Sequence, residues 1–364
     1  MKIDGSKSVL LKGITTVQNA ISTRSALPIL SNILLETTKD GLNIIGTDLD
    51  IGIISTIPIS ITTPGSITVP AKRFLDIIKE LPESNVSISI KKNNMVHITC
   101  ENAQFKIMGI PKDEFPKLPE FKDEDAIKLS QSLFKNMLNM TAFAMSRDET
   151  RYILNGVYIV IKKNFIRMVA TDGRRLALIE REVGLEKNIE KNLIIPTKTV
   201  QELLRNLKDE GEVQISFGEN QVMFNLGDIV IISRLIEGEF PNYEQVIPKE
   251  IKEKIVVDRE KLFFAAKRVS LLTTQDSQAV KIDVEKDKMV ISKNSPDIGE
   301  AREEIEINYG GLPLSIGFNP NYIMDVLKNL DDQTIGFELQ DPEKPGVIRA
   351  KEKYIYVVLP MQLV

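Results

Sequence analysis

The densest group of chemically capable side chains in this 364-residue chain is the stretch VATDGRRLALIE, residues 169–180. An apolar strand breaks off there at Asp172 and Gly173, presents Arg174 and Arg175, and resumes. Thr171, Asp172 and the two arginines could act in catalysis, hold a ligand, or simply turn the chain. A second acidic pair, Asp48 and Asp50 in GTDLD, offers two carboxylates at a strand end but no third partner, which fits a turn better than a metal site. The single histidine, His97, lies in the alternating run MVHITC and reads as a structural strand residue. With one histidine and one cysteine, Cys100, the common nucleophile–base pairs and transition-metal sites are nearly out of reach. No phosphate-binding loop of the G-x-x-x-x-G-K-[ST] or G-x-G-x-x-G type is present. No cofactor, metal ion or catalytic residue is expected.

These residues must be held by something, and the chain repeats the holder three times. VPAKRFLDIIKEL (69–81), IPTKTVQELLRNL (195–207) and FNPNYIMDVLKNL (318–330) each place apolar residues at i, i+3, i+4 and i+7, one face of an amphipathic helix. These are Phe74, Ile77, Ile78 and Leu81, then Val200, Leu203, Leu204 and Leu207, then Ile323, Val326, Leu327 and Leu330. A second helix recurs at 6–22, 130–146 and 258–274, opening on Ser6, Ser130 and Asp258 as N-caps. Between the helices, alternating runs around short polar breaks predict hairpins. The reading is α+β: three tandem domains of about 120 residues, 1–124, 125–252 and 253–364, with helices on one face of antiparallel sheets.

Composition is that of an ordinary globular protein, 42% hydrophobic and 27% charged. The N-terminus shows no continuous apolar stretch of a secretory signal, and the lone cysteine fits a reducing, cytoplasmic setting. Net charge is −4, but its distribution is uneven. The six helical spans 6–24, 70–81, 130–147, 196–208, 258–274 and 319–330 together carry +10, which leaves −14 for strands and loops. Lys79, Arg205 and Lys328 share one repeat position facing away from the apolar stripe. Asp76, Glu202 and Asp325 stand three residues earlier, so each pair can equally be a surface ion pair. Taken over all six helices, the pattern predicts a basic lining that holds phosphates by charge and reads no bases.

Together with LPILSNILLE (27–36), GTDLD (46–50), RYILNGV (151–157), ATDGRRLA (170–177), EFPNYEQVIP (239–248) and YVVLPM (356–361), these features resemble the bacterial sliding clamp, the beta subunit of the DNA polymerase III holoenzyme, over the whole chain. The resemblance implies a non-enzymatic, ring-shaped homodimer that encircles duplex DNA, with helices lining the hole, and tethers the replicative DNA polymerase. It carries DNA contacts onto Arg24, Lys72, Arg73, Tyr152 and Lys198, with Arg147 basic in the same loop and Asp148 replacing a familiar amide. It carries the subunit contact onto Phe105, Ile107, Leu271 and Leu272. It also implies an apolar pocket where polymerase, clamp loader and repair proteins dock peptides. Its lining would be Leu154, Thr171, Gly173, Arg174, Arg175, Leu176, Pro241, Val246, Asn319, Tyr322, Val357, Val358, Pro360 and Met361. Gln362 and the terminal Val364 depart from the family's pattern at the rim.

Two other classes compete. A repeat-built interaction scaffold without DNA would not need the charge split of the helices. An enzyme built on Asp48, Asp50 and Asp172 would lack the usual partners. Within residues 169–180 the repeat divides the signal: ATDG matches GTDL, so Asp172 is expected to hold turn amides, while the segment 173–176 is expected to wall the pocket.

Overall fold

The structure is a computed structural model that describes residues 1–21, 27–121, 126–185, 189–249, 254–296, 298–350 and 353–363. Each repeat runs strand, helix, three strands, strand, helix, three strands, and every strand pairing is antiparallel. The first repeat holds Lys2–Ser6, helix α1 (Lys7–Val17), the strands Asn32–Thr37, Leu42–Thr47 and Ile51–Ile57, then Ser66–Pro70, helix α2 (Ala71–Glu80) and Asn85–Ile90, Met95–Cys100 and Ala103–Met108. Among the described residues it alone carries an added strand, Ser60–Thr63. The second holds Ile127–Ser130, α3 (Gln131–Ala142), Gly156–Lys162, Phe165–Thr171, Arg175–Glu182, Lys191–Pro196, α4 (Thr197–Asn206), Glu212–Phe217, Gln221–Asn225 and Ile229–Arg234. The third holds Lys254–Asp258, α5 (Arg259–Val269), Val280–Glu285, Lys288–Ser295, Gly299–Asn308, Leu314–Phe318, α6 (Pro320–Lys328), Thr334–Glu338, Gly346–Ala350 and Tyr354–Val358.

The helices form where the apolar spacing predicts them. Phe74 and Ile78 of α2, Val200 and Leu203 of α4, and Ile323, Val326 and Leu327 of α6 are buried. The first-helix caps also form: Ser6 Oγ accepts from the Val9 amide at 3.4 Å, Ser130 Oγ from Leu133 at 3.5 Å, and Asp258 Oδ1 from Lys261 at 2.8 Å. Helices α1, α3 and α5 stop earlier than the periodicity suggests. After Val269 the Ser270 hydroxyl donates to the Lys267 carbonyl at 2.8 Å and the chain tightens into a 3-10 turn, a local bond that competes with the helical ladder. Among the described residues no helix is long and apolar enough to cross a membrane.

The chain divides into two compact units, and the division passes through the middle repeat. One unit comprises residues 1–135 and 198–235. In it the Ile51–Ile57 strand pairs with Ile229–Arg234, Ile53 opposite Ile231, so that strands of two repeats share one eight-stranded sheet. A separate five-stranded sheet ends on Ala103–Met108, which among the described residues pairs only with Met95–Cys100. The other unit comprises residues 136–197 and 236–364. There Arg175–Glu182 pairs with Tyr354–Val358, Ala177 opposite Tyr356, inside a twelve-stranded sheet.

Candidate functional site

The turn at 171–175 is built by its own side chains. The Thr171 hydroxyl donates to the Arg175 carbonyl at 2.6 Å and accepts from the Gly173 amide at 3.1 Å. Asp172 Oδ1 accepts from the amides of Arg174 and Arg175 at 2.9 and 3.0 Å. This is the amide-holding role the sequence predicts for Asp172, and it satisfies a carboxylate without leaving it free for catalysis. Gly173 sits at φ +84°, a left-handed conformation that glycine adopts without the Cβ penalty.

Arg175 turns inward from this turn. Its side chain is only 10% exposed. Nε donates to Asp172 at 3.1 Å, Nη1 to Asp325 of α6 at 2.5 Å, and Nη2 to the Phe143 carbonyl at 2.6 Å. The guanidinium plane lies 4.4 Å from the Tyr322 ring centroid. Burial alone would disfavour the charge, but Tyr356, Asp325 and Asp172 outweigh it and raise the pKa above the ordinary arginine value. Tyr356 is buried beneath, which pushes its hydroxyl up, and it donates to the Tyr322 carbonyl at 2.8 Å.

Above this support lies an apolar cavity of about 180 Å³. Leu154, Thr171, Gly173, Arg174, Arg175, Leu176, Pro241, Val246 and Val357 line it, all named by the resemblance, together with Asn242, Tyr243 and Leu359, which it did not name. The three additions were within reach of the sequence: Asn242 and Tyr243 stand inside EFPNYEQVIP, and Leu359 follows Val357 at the strand period of two. Five residues lie elsewhere. Asn319 caps α6 by accepting from the Asn321 amide at 3.0 Å, and Tyr322 packs under Arg175. Val358 is fully buried, and the Met361 amide bonds the Gly317 carbonyl at 2.8 Å. Pro360 is half-buried beside it and does not line the cavity. Gln362 is exposed, and Val364 lies outside the described residues. The cavity's far wall, residues 240–246, begins on aromatic packing: Phe240 stacks on Tyr158 at 4.8 Å, and Tyr243 meets both rings edge-on.

The residues named for DNA contact fall into three groups. Lys72, Arg73, Arg147 and Tyr152 are exposed. Lys198, at the start of α4, is ion-paired with Asp48. Arg24 lies outside the described residues. Asp148 accepts from the Thr150 amide and hydroxyl at 3.0 and 2.7 Å, bonds that lower its pKa and make it a local cap. Of the three predicted acid–base pairs on the repeated helix, only Glu202–Arg205 forms among the described residues, and Glu202 is 2% exposed where a surface pair would be open. Asp325 is taken by Arg175. Phe105 is 38% exposed and Leu271 is 78% exposed, Leu272 is half-buried, and Ile107, at 6%, packs inside its own domain beside Val96. Asp48 is occupied by its own turn amides at 2.9 and 3.0 Å, and no group of three His, Cys, Asp or Glu side chains fit for a metal occurs among the described residues.

Comparison with known proteins matches the chain in three parts to the DNA polymerase III beta subunit: its N-terminal domain over residues 1–119, its central domain over 128–242 and its C-terminal domain over 244–362. The chain is 33% identical to the beta sliding clamp of Chlamydia pneumoniae over 363 residues, covering 100% of this chain and 99% of that one. It is 35% identical to that of Staphylococcus aureus strain Mu50 over 357 residues, 94% of each. Among solved structures, the DNA polymerase sliding clamp of Bacillus subtilis superposes with a TM-score of 0.94 at 33% identity over 100% of both chains. A sliding clamp of Bartonella birtlesii bound to griselimycin does so with a TM-score of 0.94 at 33% identity, again over 100% of both.

Proposed function

Because this chain belongs to the DNA polymerase III beta subunit family, the non-catalytic sliding clamps that give replicative polymerases their processivity, we propose that two copies close head to tail into a ring around duplex DNA and dock partner peptides in the cavity beside Arg174. One observation carries the ring: among the described residues the chain has three copies of each surface used to join repeats, and uses only two of each. Ile51–Ile57 pairs with Ile229–Arg234, and Arg175–Glu182 with Tyr354–Val358. By repeat position the unused partners are Gly299–Asn308 and Ala103–Met108. Residues 299–306 pair on one side only, and Ala103–Met108 is a sheet edge. Such edges are templates for pairing with another chain.

The register follows from the two joints already made. Ile53, opposite Gly46, faces Ile231, and Ala177, opposite Ala170, faces Tyr356. Ala301, opposite Lys293, holds that position in the third repeat, and Phe105 holds that of Ile231 and Tyr356. Phe105 is therefore set opposite Ala301 of a second copy, with Lys106 opposite Glu300. Tyr356 packs on Phe143 at 5.8 Å, and Leu271 has the repeat position of Phe143, so Phe105 and Leu271 form the apolar centre of the seam, with Leu272 beside them. Ile107 braces Phe105 from inside the domain.

On the DNA-facing side we assign Arg24, Lys72, Arg73, Arg147 and Tyr152 to transient phosphate contacts, with Lys198 shared between phosphate and Asp48. Such contacts suit sliding because they are weak and indifferent to sequence. Polymerase, clamp loader and repair proteins would each insert an apolar peptide side chain against Leu154, Leu176, Val246 and Val357, with polar groups at Arg174. The domain limits 1–124, 125–252 and 253–364 are part of the same reading. The test is retention after loading. The protein should stay on closed circular DNA and run off linear DNA; equal retention on both would refute encirclement.

A further inference from the structure

The cavity's far wall is held to the rest of its unit in an unusual way. Residues 237–249 contribute no strand, and among the described residues no backbone hydrogen bond joins them to one. The segment's only regular element is the 3-10 turn Tyr243–Val246, which has no side-chain cap. A wall of this kind is free to shift unless side chains hold it. Two arginines reach it from the sheet: Arg349, on Gly346–Ala350, donates to the Pro248 carbonyl near the segment's end at 2.8 Å, and a second one reaches the turn itself. Arg167, on Phe165–Thr171, donates from Nη1 to the Tyr243 hydroxyl at 3.0 Å and to Glu244 at 2.9 Å. Its Nε and Nη2 both reach Glu180 Oε2, at 2.9 and 2.6 Å. The other oxygen of Glu180 accepts from Lys353 at 2.8 Å. The guanidinium is thus fixed on the sheet side by a carboxylate that is itself fixed, and offers its remaining nitrogen to the wall. The mostly covered Arg167–Glu180 contact is far less accessible to water than Glu244 is.

We infer that Arg167 is a positioning residue for the docking cavity: it touches no ligand, but sets the distance between the Tyr243–Val246 wall and the Leu176–Val357 floor, and so the fit for an apolar peptide. A lysine could not replace it, because one ammonium cannot bond Glu180 in a fork and span to Tyr243 at once. A free wall would have to be ordered at each binding event, and affinity would fall by that cost. The inference rests on the peptide-docking reading above, and its test separates the two.

The probe is a fluorescein-labelled C-terminal tail peptide of the cognate replicative polymerase, titrated with the full-length protein. Leu176→Arg fills the floor and tests the docking reading; it is expected to abolish binding. Arg167→Ala is expected to weaken binding about tenfold, and Arg167→Lys to recover only part of that. Arg259→Ala removes a similarly covered arginine of the same unit that bonds the Asp332 and Leu327 carbonyls, and it is expected to lower the unfolding temperature while leaving peptide affinity unchanged. If Leu176→Arg abolishes binding and Arg167→Ala leaves it intact, the positioning role is overturned and the docking site stands. If Leu176→Arg binds normally, the peptide sits elsewhere and both readings fall. Equal losses in Arg167→Ala and Arg259→Ala would reduce the effect to general stability and overturn the role. Should Arg167→Ala not fold, Tyr243→Phe removes a single hydrogen bond from the wall. A loss of about twofold is expected there, and unchanged affinity would count against the inference.

Discussion

The turn at 47–51 and the turn at 171–175 are the same object built twice. In each, a threonine hydroxyl donates to the carbonyl four residues on and accepts from the amide two residues on. In each, an aspartate Oδ1 accepts from the amides two and three residues on. In each, the third residue has a positive φ, 79° at Leu49 and 84° at Gly173. What stands over them differs. In the first copy Leu118 lies on Gly52, so closely that a Cβ on the glycine would come 2.7 Å from the leucine's Cδ2. In the second the residue after the turn is Leu176, and the chain beyond Phe240 stands back to leave the cavity. The binding signal is therefore not in the turn, which both copies share, but in the exchange of one glycine for leucine and the retreat of one loop. The anchoring differs as well. Asp48 meets one partly exposed lysine, whereas Asp172 is tied through Arg175 to Asp325 and Phe143.

That difference can be broken, beginning where it is largest. Arg175→Ala should cost about 3 kcal/mol in a denaturant titration, since it strands covered partners, while Lys198→Ala at the first turn should cost no more than about 1 kcal/mol. Similar losses would mean that the second anchor is no stronger than the first. Gly52→Leu should destabilise by about 2 kcal/mol through overpacking against Leu118, and adding Leu118→Ala should return part of it; a merely additive double variant would show that the two do not compete for one space. Leu49→Gly should stabilise by a few tenths up to about 1 kcal/mol, because a leucine in the left-handed region carries strain that a glycine does not. A loss on that substitution would place the cost in the unfolded chain instead.

The smallest effect is acid sensitivity of the second unit. Burial raises the Glu180 pKa, but hydrogen bonds from Lys353 and Arg167 outweigh it, so the carboxyl titrates below its ordinary value of 4.5. The stability this supplies is complete above that value and is lost as pH falls through the lower folded one. The denaturation midpoint of Glu180→Gln should therefore lie below that of the parent at pH 6 and approach it as the pH is brought under about 4. Parallel curves at both values would remove Glu180 from the acid response.

Much of this arrangement is legible before any coordinates. The helical stripes and the caps Ser6, Ser130 and Asp258 depend on spacing of three and four residues, and that spacing is in the sequence. Asp172 is readable for the same reason, its partners being two and three residues away. What escapes is whatever the tertiary fold brings from afar. The helix pattern offers Asp325 to Lys328 next door, yet Arg175, 150 positions earlier in the chain, takes it with one guanidinium nitrogen. Glu202 reads as a surface acid, and the structure buries it. Phe105 and Ile107 share a face by strand alternation, but only their place in the edge strand decides that one stays open and the other closes. Asn319, Tyr322 and Val358 are close to the cavity in the sequence of the motif and serve as its supports instead.

The division of the middle repeat between two units has a practical consequence for dissection. A fragment spanning residues 125–252 would carry both Ile229–Arg234 and Arg175–Glu182 away from the strands that complete them. Each would then be a raw, largely apolar edge, prone to pair with its own kind. Cutting where the sequence repeats is thus a recipe for aggregation. The chain is modular in its pattern and indivisible in its hydrogen bonding, and replacing one repeat by a homologue's would require both flanking strands to be exchanged with it.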